Sequence, residues 1–311
     1  EGRAAKGLIE KARRQVATAL GADGADVVFV SSATEAAALA LADRGIACAE
    51  IEHEAVSAWC ETSLAVAADG GVTVTDPAGS SLQVANSETG IVQTLPAGLA
   101  LTDATQAFGK LPFAFNWSGA DMAIVSAHKI GGPKGIGALI MKRGSDVDAR
   151  IKGGGQEMGR RSGTENVIGI AGFGAAAEAA ARDLDAGVWT KVAELRNILE
   201  KRLSESARET IFVGKDANRL PNTSCFITPG WKGETQVMVM DLAGFAVSAG
   251  SACSSGKVRA SRVLRAMGYD DTQAASALRV SLGPETTEGD VSAFAEAWLR
   301  EYEKFRARRG D

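Results

Sequence analysis

Apolar residues recur at helical spacing through residues 3–20 (RAAKGLIEKARRQVATAL), and a short β-branched run, DVVFVSS at 26–32, follows directly. This exchange of periods repeats down the chain. TEAAALALADRG reads as a helix closed by glycine, ACAEIE as a strand and HEAVSAWCETSLAVA as a further helix. Such alternation points to an α/β fold with a mostly parallel sheet covered by helices. Further strands are predicted at GVTVTD, SLQVAN, GLALTDA, DMAIVSA and GALIMKR, which gives a sheet of about seven strands.

From Thr164 an alanine-rich helix is predicted to run to residue 184, and Asp185-Ala186-Gly187 leads into a second helix near 188–207. The boundary between two domains is therefore expected at 180–187, with a large domain over 1–182 and a smaller α+β domain over 183–311. The smaller one alternates TIFVG, NTSCFITP, a helix at 234–243, FAVSAGSAC, a helix at 260–267, ALRVSLG and a C-terminal helix. No internal repeat or low-complexity tract interrupts either.

With 34 basic and 38 acidic residues the chain carries a net charge of −4. That balance lacks the basic field that draws in nucleic acid or an anionic membrane, so a small-molecule partner is expected. Neither a signal-peptide pattern nor an 18-residue apolar span is present, which gives a cytoplasmic expectation. The cysteines at 48, 60, 225 and 253 have no CxxC spacing, and neither a disulfide framework nor a metal site is expected. Cys48, Cys60 and Cys225 lie in apolar runs and read as inert core residues.

Ligands of open parallel sheets sit beyond the carboxyl ends of the strands. Four polar exits from apolar runs qualify: Ser31-Ser32-Ala33-Thr34, Asn86-Ser87-Glu88, Asp103-Ala104-Thr105-Gln106 and Ser126-Ala127-His128-Lys129. Each taken singly also reads as a helix cap or turn. GGPKGIG does not match a phosphate loop, because Lys134 is followed by Gly135-Ile136-Gly137, and Lys134 is read as a turn residue. Lys129 ends an apolar strand, where partial desolvation and nearby cations suit an imine-forming lysine. If it held pyridoxal phosphate, Asp103 could keep the ring nitrogen protonated and His53 could stack on the ring. Thr34, Ser126 and His128 offer phosphate donors beside a helix N-terminus. Cys253, in SAGSACSSGKVRAS, sits among serine and glycine with Lys257 and Arg259 nearby, a setting that favours the thiolate. Arg279 lies inside an apolar strand and needs a partner, either a substrate carboxylate or a structural ion pair.

Eight motifs in one order, SSATEA, EHEAV, ANSETG, DATQAFGKLP, SAHKIGGPKGIGAL, GGGQEMGRRSGTEN, SAGSACSSG and LRVSLG, resemble the pyridoxal-phosphate-dependent cysteine desulfurases of the NifS/IscS-like group. The resemblance implies a fold type I enzyme, a homodimer, that converts L-cysteine to L-alanine and leaves sulfur as a persulfide. It implies Lys129 as the Schiff-base lysine, Cys253 as the nucleophile and His53 as the ring-stacking residue. Asp103 would pair with the ring nitrogen, and Gln106 would neighbour the phenolic oxygen. Ala33, Thr34, Ser126 and His128 would bind the phosphate, and Thr164 would reach the phosphate of the other subunit. Arg279 would hold the substrate carboxylate with Asn86 in the same pocket. A sulfur acceptor or iron–sulfur scaffold protein is the implied macromolecular partner, and the basic C-terminal helix could dock it or simply present solvated charge.

The chain departs from the family pattern in three places. Ser87 stands where a second asparagine is usual, at the contact to the cofactor's phenolic oxygen. A tyrosine-threonine-proline-like stretch does not precede Glu1. The stretches between GVTVTD and SLQVAN and between Gln93 and Leu101 are short, which predicts reduced crossover helices. A selenocysteine lyase, an aminotransferase or a trimmed non-catalytic scaffold are the alternatives, and Cys253 separates them because transamination needs no thiol.

Overall fold

The computed structural model describes residues 1–250 and 260–310. The chain divides into two compact units, one of Glu1–Ala65, Val72–Ala85 and Gln93–Ala186, the other of Val66–Gly71, Asn86–Val92 and Gly187–Asp311.

The first unit contains α1 (Gly2–Ala19), β1 (Asp26–Val30), α2 (Ala33–Leu41), β2 (Ala47–Ala49), α3 (Glu54–Ser57), β3 (Glu61–Leu64), β4 (Thr102–Asp103), α4 (Phe115–Ser118), β5 (Met122–Ser126), β6 (Gly137–Met141) and α5 (Val167–Asp185). Four strands pair in the order β1-β6-β5-β4, and β2 pairs with β3 in parallel. Single parallel bridges, Ala47 to Ser80 and Ser81 to Leu101, carry the pairing from β2 through residues 80–82 to the chain entering β4. The result is the expected mostly parallel arrangement of about seven segments. β6 is the exception and runs antiparallel to both β1 and β5. Only residues 127–136 connect β5 to β6, fewer than the dozen or so that a parallel crossover requires.

Val28, Val30, Leu39, Leu41, Ile124 and Leu139 form the core between this sheet and α2. Alanines on the buried face of α2 allow a close approach, and at Gly137 a Cβ would meet the Ser32 carbonyl carbon at 2.7 Å. The first turn of α2 is thereby held against the start of β6.

Two predicted elements differ. HEAVSAWCETSLAVA does not continue as one helix: α3 ends at Ser57, and Glu61 N–H donates to Ile46 O at 2.9 Å as β3 joins β2. Pairing with a neighbouring strand overrides the local helical period there. GVTVTD forms no strand; Val72 N–H is satisfied instead by Gln93 Oε1 at 3.1 Å. Residues 66–101 carry no α-helix and only a 3-10 turn at Pro77–Gly79, as the shortened crossovers predict.

The second unit contains α6 (Val188–Ser206), β7 (Ile211–Phe212), β8 (Thr223–Ile227), α7 (Gly233–Leu242), α8 (Arg262–Ala266), α9 (Asp271–Ala275), β9 (Ala277–Ser281) and α10 (Glu288–Arg309). Its sheet is antiparallel in the order β7-β8-β9. Phe226, Trp231, Trp298 and Tyr302 centre its core, and the indole N–H of Trp298 donates to Gln236 Oε1 at 3.1 Å. α10 opens with a capping box between Thr287 and Asp290 and buries one face through Val291, Phe294, Trp298 and Tyr302. Among the described residues no helix is long and apolar enough to cross a membrane.

Candidate active site

In the first unit the strand ends bring chemically distinct groups together. Asp103 ends β4 and accepts a hydrogen bond from Thr105 N–H at 2.8 Å. Burial pushes its carboxyl up, while the Thr105 hydrogen bonds and the electrostatic interactions with His53 and Lys129 pull it back down. Asp103 therefore interacts with two of the residues expected to contact the cofactor, His53 and Lys129. His53 caps α3, and its Nδ1 accepts from Ala55 N–H at 3.1 Å. A neutral ring with that bond carries its proton on Nε2.

Lys129 and His128 lie in a 3-10 turn, Ala127–Ile130, directly after β5. The turn is fixed by Gly132 N–H donating to Ala127 O at 2.9 Å, with Gly131 in the left-handed region at φ 79°. Burial, then the charges of Lys129 and Lys134, push the His128 imidazole down. Lys134 is exposed on the same connection, as its reading as a turn residue requires.

The N-terminus of α2 supplies an anion-binding edge. Ser32 caps it by accepting from Glu35 N–H at 3.4 Å, and Thr34 is exposed at its second position. Ser126 Oγ accepts from Ala33 N–H at 2.8 Å, which leaves the Ser126 hydroxyl proton directed elsewhere. Gln106 follows in the loop after β4, and its carbonyl accepts from Lys110 Nζ at 2.9 Å.

Thr164 is exposed and lines a cavity of about 210 Å³ with Ser31, Gly135, Glu157 and Arg161. Glu157 is buried there, accepting from Arg13 at 2.8 and 3.0 Å and from Phe29 N–H at 2.9 Å. Arg161 Nε donates to Glu35 Oε1 at 2.8 Å.

The second unit holds Asn86, Ser87 and Arg279. Arg279 donates to Ser87 O at 2.8 Å and to Ser248 Oγ at 3.2 Å, and its buried Nε has no hydrogen-bond partner among the described residues. A guanidinium with neutral oxygen partners and an unused buried donor is suited to an arriving carboxylate. Asn86 Oδ1 accepts from Glu88 N–H, Thr89 N–H and Thr89 Oγ, which sets the turn that presents Ser87. Cys253 lies outside the described residues.

Sequence reasoning passed over Lys110, although the motif DATQAFGKLP contains it. It is buried, and burial followed by the charge of Lys129 lowers its ammonium to about 8. A lysine inside the apolar stretch AFGKLP was the available signal.

The donor set fits pyridoxal 5'-phosphate. It combines a carboxylate for a ring nitrogen, an imidazole for a ring face, an amine for the aldehyde, and a helix N-terminus with hydroxyls for the phosphate. Comparison with known proteins agrees. Residues 1–294 match the sequence profile of the family described as Aminotransferase class-V, and the chain belongs to that family. Within it, the chain is 39% identical to a cysteine desulfurase of Gluconacetobacter diazotrophicus, over 92% of this chain and 80% of that one. It is 33% identical to a cysteine desulfurase IscS of Dictyoglomus turgidum, over 98% and 86%. A NifS-like protein from Rickettsia africae superposes with a TM-score of 0.87 at 32% identity, covering 97% of this chain and 89% of that one. The NifS/IscS-like resemblance and the fold type I class read from the sequence are borne out.

Proposed function

We propose that this chain, a pyridoxal-phosphate-dependent cysteine desulfurase, converts L-cysteine to L-alanine with Lys129 as its cofactor amine and Cys253 as its sulfur acceptor. The observation that supports the residue assignment is the pairing of β4 with β5, which sets Asp103 at one strand end beside the strand that leads directly into Lys129. Asp103 would hold the proton on the ring nitrogen, His53 would cover the ring, and Gln106 would neighbour the phenolic oxygen, where Ser87 stands in place of the usual asparagine. Ala33, Thr34, Ser126 and His128 hold the phosphate at the start of α2. The bound cofactor supplies an electron-withdrawing ring that makes the substrate Cα–H acidic.

Arg279 would take the substrate carboxylate, aided by Asn86, and so orient the substrate. Lys129 Nζ removes the Cα proton as general base. The Cys253 thiolate then attacks the substrate sulfur. The new S–S bond forms as the Cβ–S bond breaks, and the bonding pair stays with the carbon skeleton, which is protonated to alanine. The persulfide left on Cys253 passes to a sulfur-acceptor or iron–sulfur scaffold protein.

The working unit is a homodimer in the cytoplasm, with Thr164 reaching the phosphate of the other subunit. Residues 1–182 supply the cofactor domain, save Val66–Gly71 and Asn86–Val92, which belong to the second unit, and the C-terminal domain expected over 183–311 carries Cys253. Incubation with L-cysteine, following alanine, sulfide and persulfide on Cys253 together, tests this reading. Cys253→Ala should keep the cofactor's visible absorbance and lose sulfide release; unchanged sulfide production would reject it. Lys129→Ala should abolish that absorbance.

A further inference from the structure

The three described cysteines are not equivalent. Cys225 is buried in β8, and burial pushes its thiol up to about 12, so it is unreactive as the sequence suggests. Cys48 is fully buried in β2. Cys60 departs from the expected core role: it is only partly buried and immediately precedes β3. β2 and β3 are parallel neighbours, with Cys48 opposite Thr62 and Glu61 N–H bonded to Ile46 O. This register sets the two cysteines diagonally across one strand pair. Their thiols are hydrogen-bonded to each other, and that bond lowers the Cys60 thiol, while burial and the Glu52 carboxylate act in the opposite direction.

The pair thus combines one partly buried cysteine, whose thiolate is favoured, with one fully buried cysteine hydrogen-bonded to it. That is the arrangement of a reacting and a resolving cysteine. We propose that Cys60 and Cys48 form a reversible oxidation site that takes a hydroperoxide. The Cys60 thiolate attacks the O–O bond of hydrogen peroxide, giving a Cys60 sulfenic acid and hydroxide, which is protonated to water. Cys48 sulfur then attacks the Cys60 sulfur. The S–S bond forms as the S–O bond breaks, and the departing hydroxide takes the Cys48 proton to make a second water. Two thiols are oxidised and one peroxide is reduced, and a dithiol reverses the change by exchange.

The closed ring comprises residues 48–60 and contains α3 and His53. Oxidation therefore ties down the segment that carries His53. The oxidation chemistry does not depend on the desulfurase reading, so each can fail without the other.

The test uses the full chain carrying Cys253→Ser, which removes the other sulfur expected to react. The protein is treated with hydrogen peroxide, alkylated after denaturation, and cleaved after glutamate. Glu50, Glu52 and Glu54 lie between the two cysteines, so their peptides remain joined only through an S–S bond. We expect joined peptides short of two hydrogens, which dithiothreitol separates. In the Cys48→Ser version the linkage should disappear and Cys60 should take up the sulfenic-acid probe dimedone. Linkage through Cys225, or unlinked peptides with Cys60 alkylated equally before and after peroxide, would overturn the proposal. The linkage is measured with Cys48 and Cys60 both in place, so a folding defect in Cys48→Ser cannot decide it.

Discussion

Ser126 Oγ and Ala33 N–H form a hydrogen bond of 2.8 Å that ties the end of β5 to the first turn of α2. Both residues are buried, and the bond connects two of the proposed phosphate-binding positions. Removing it leaves a buried N–H without its acceptor, at a cost of about 1–3 kcal/mol. Ser126→Ala should therefore lower the urea midpoint. In the same protein pyridoxal phosphate should be lost more readily on dialysis, measured by the decay of visible absorbance.

Lys110 gives a stability signal with a defined sign. Its folded pKa, about 8, lies below the ordinary lysine value of about 10.4, so between these pH values the unfolded chain binds more protons than the folded one. Unfolding free energy should rise with pH across that window, by roughly 3 kcal/mol for this group, and the gain should be lost as pH falls through 8. Lys110→Met should flatten the rise and raise stability at neutral pH, as read from chemical denaturation at several pH values.

Arg279, the proposed carboxylate ligand, is a charged donor whose side-chain bonds among the described residues go to neutral oxygens, Ser87 O and Ser248 Oγ. Arg279→Ala forfeits a charge-assisted contact of about 1.5–3 kcal/mol. The KM for L-cysteine should rise by roughly 10- to 150-fold at that magnitude, while the cofactor spectrum of the substrate-free enzyme stays as it is. Steady-state alanine release provides the measurement.

Glu157 is the buried partner of Arg13 and of Phe29 N–H, and it sits at φ 48°. Glu157→Ala would take away the buried carboxylate partner of Arg13, leaving its guanidinium the Val27 carbonyl, the more exposed Glu10 at 3.4 Å and the Phe29 ring, whose centre is 4.9 Å away. Breaking a buried pair from one side costs about 3–5 kcal/mol. Thermal melting should show the loss, and a glutamine, which retains one acceptor oxygen, should recover part of it.

What could be read from the sequence follows from the range of the interactions involved. β1, β5 and β6 are short apolar runs that become buried strands, and their polar exits mark Ser126, His128 and Lys129 without tertiary information. β3 could not be read in this way. Thr62 and Ser63 are exposed in it, and the strand exists because β2 offers a partner. The same pairing relocates Cys60 from a presumed core helix to the side of Cys48. The contact of Arg13 with Glu157 joins positions far apart in the chain, and the left-handed backbone at Glu157 and Met158 falls on two non-glycine residues between Gly155 and Gly159. The charge interaction between Asp103 and His53 likewise crosses strands that no sequence period connects.

The antiparallel entry of β6 has a consequence for Lys129. Ser126 and Gly137 are register partners, and Ala127 N–H donates to Ile136 O at 3.1 Å, so both ends of the connection are anchored in one sheet. The lysine stands on an arch with two fixed footings rather than at the start of a long excursion. Its reach is consequently that of its own four methylenes, and the exchange proposed for it, between binding an aldehyde and accepting a proton, would be a matter of side-chain rotation above a stationary base.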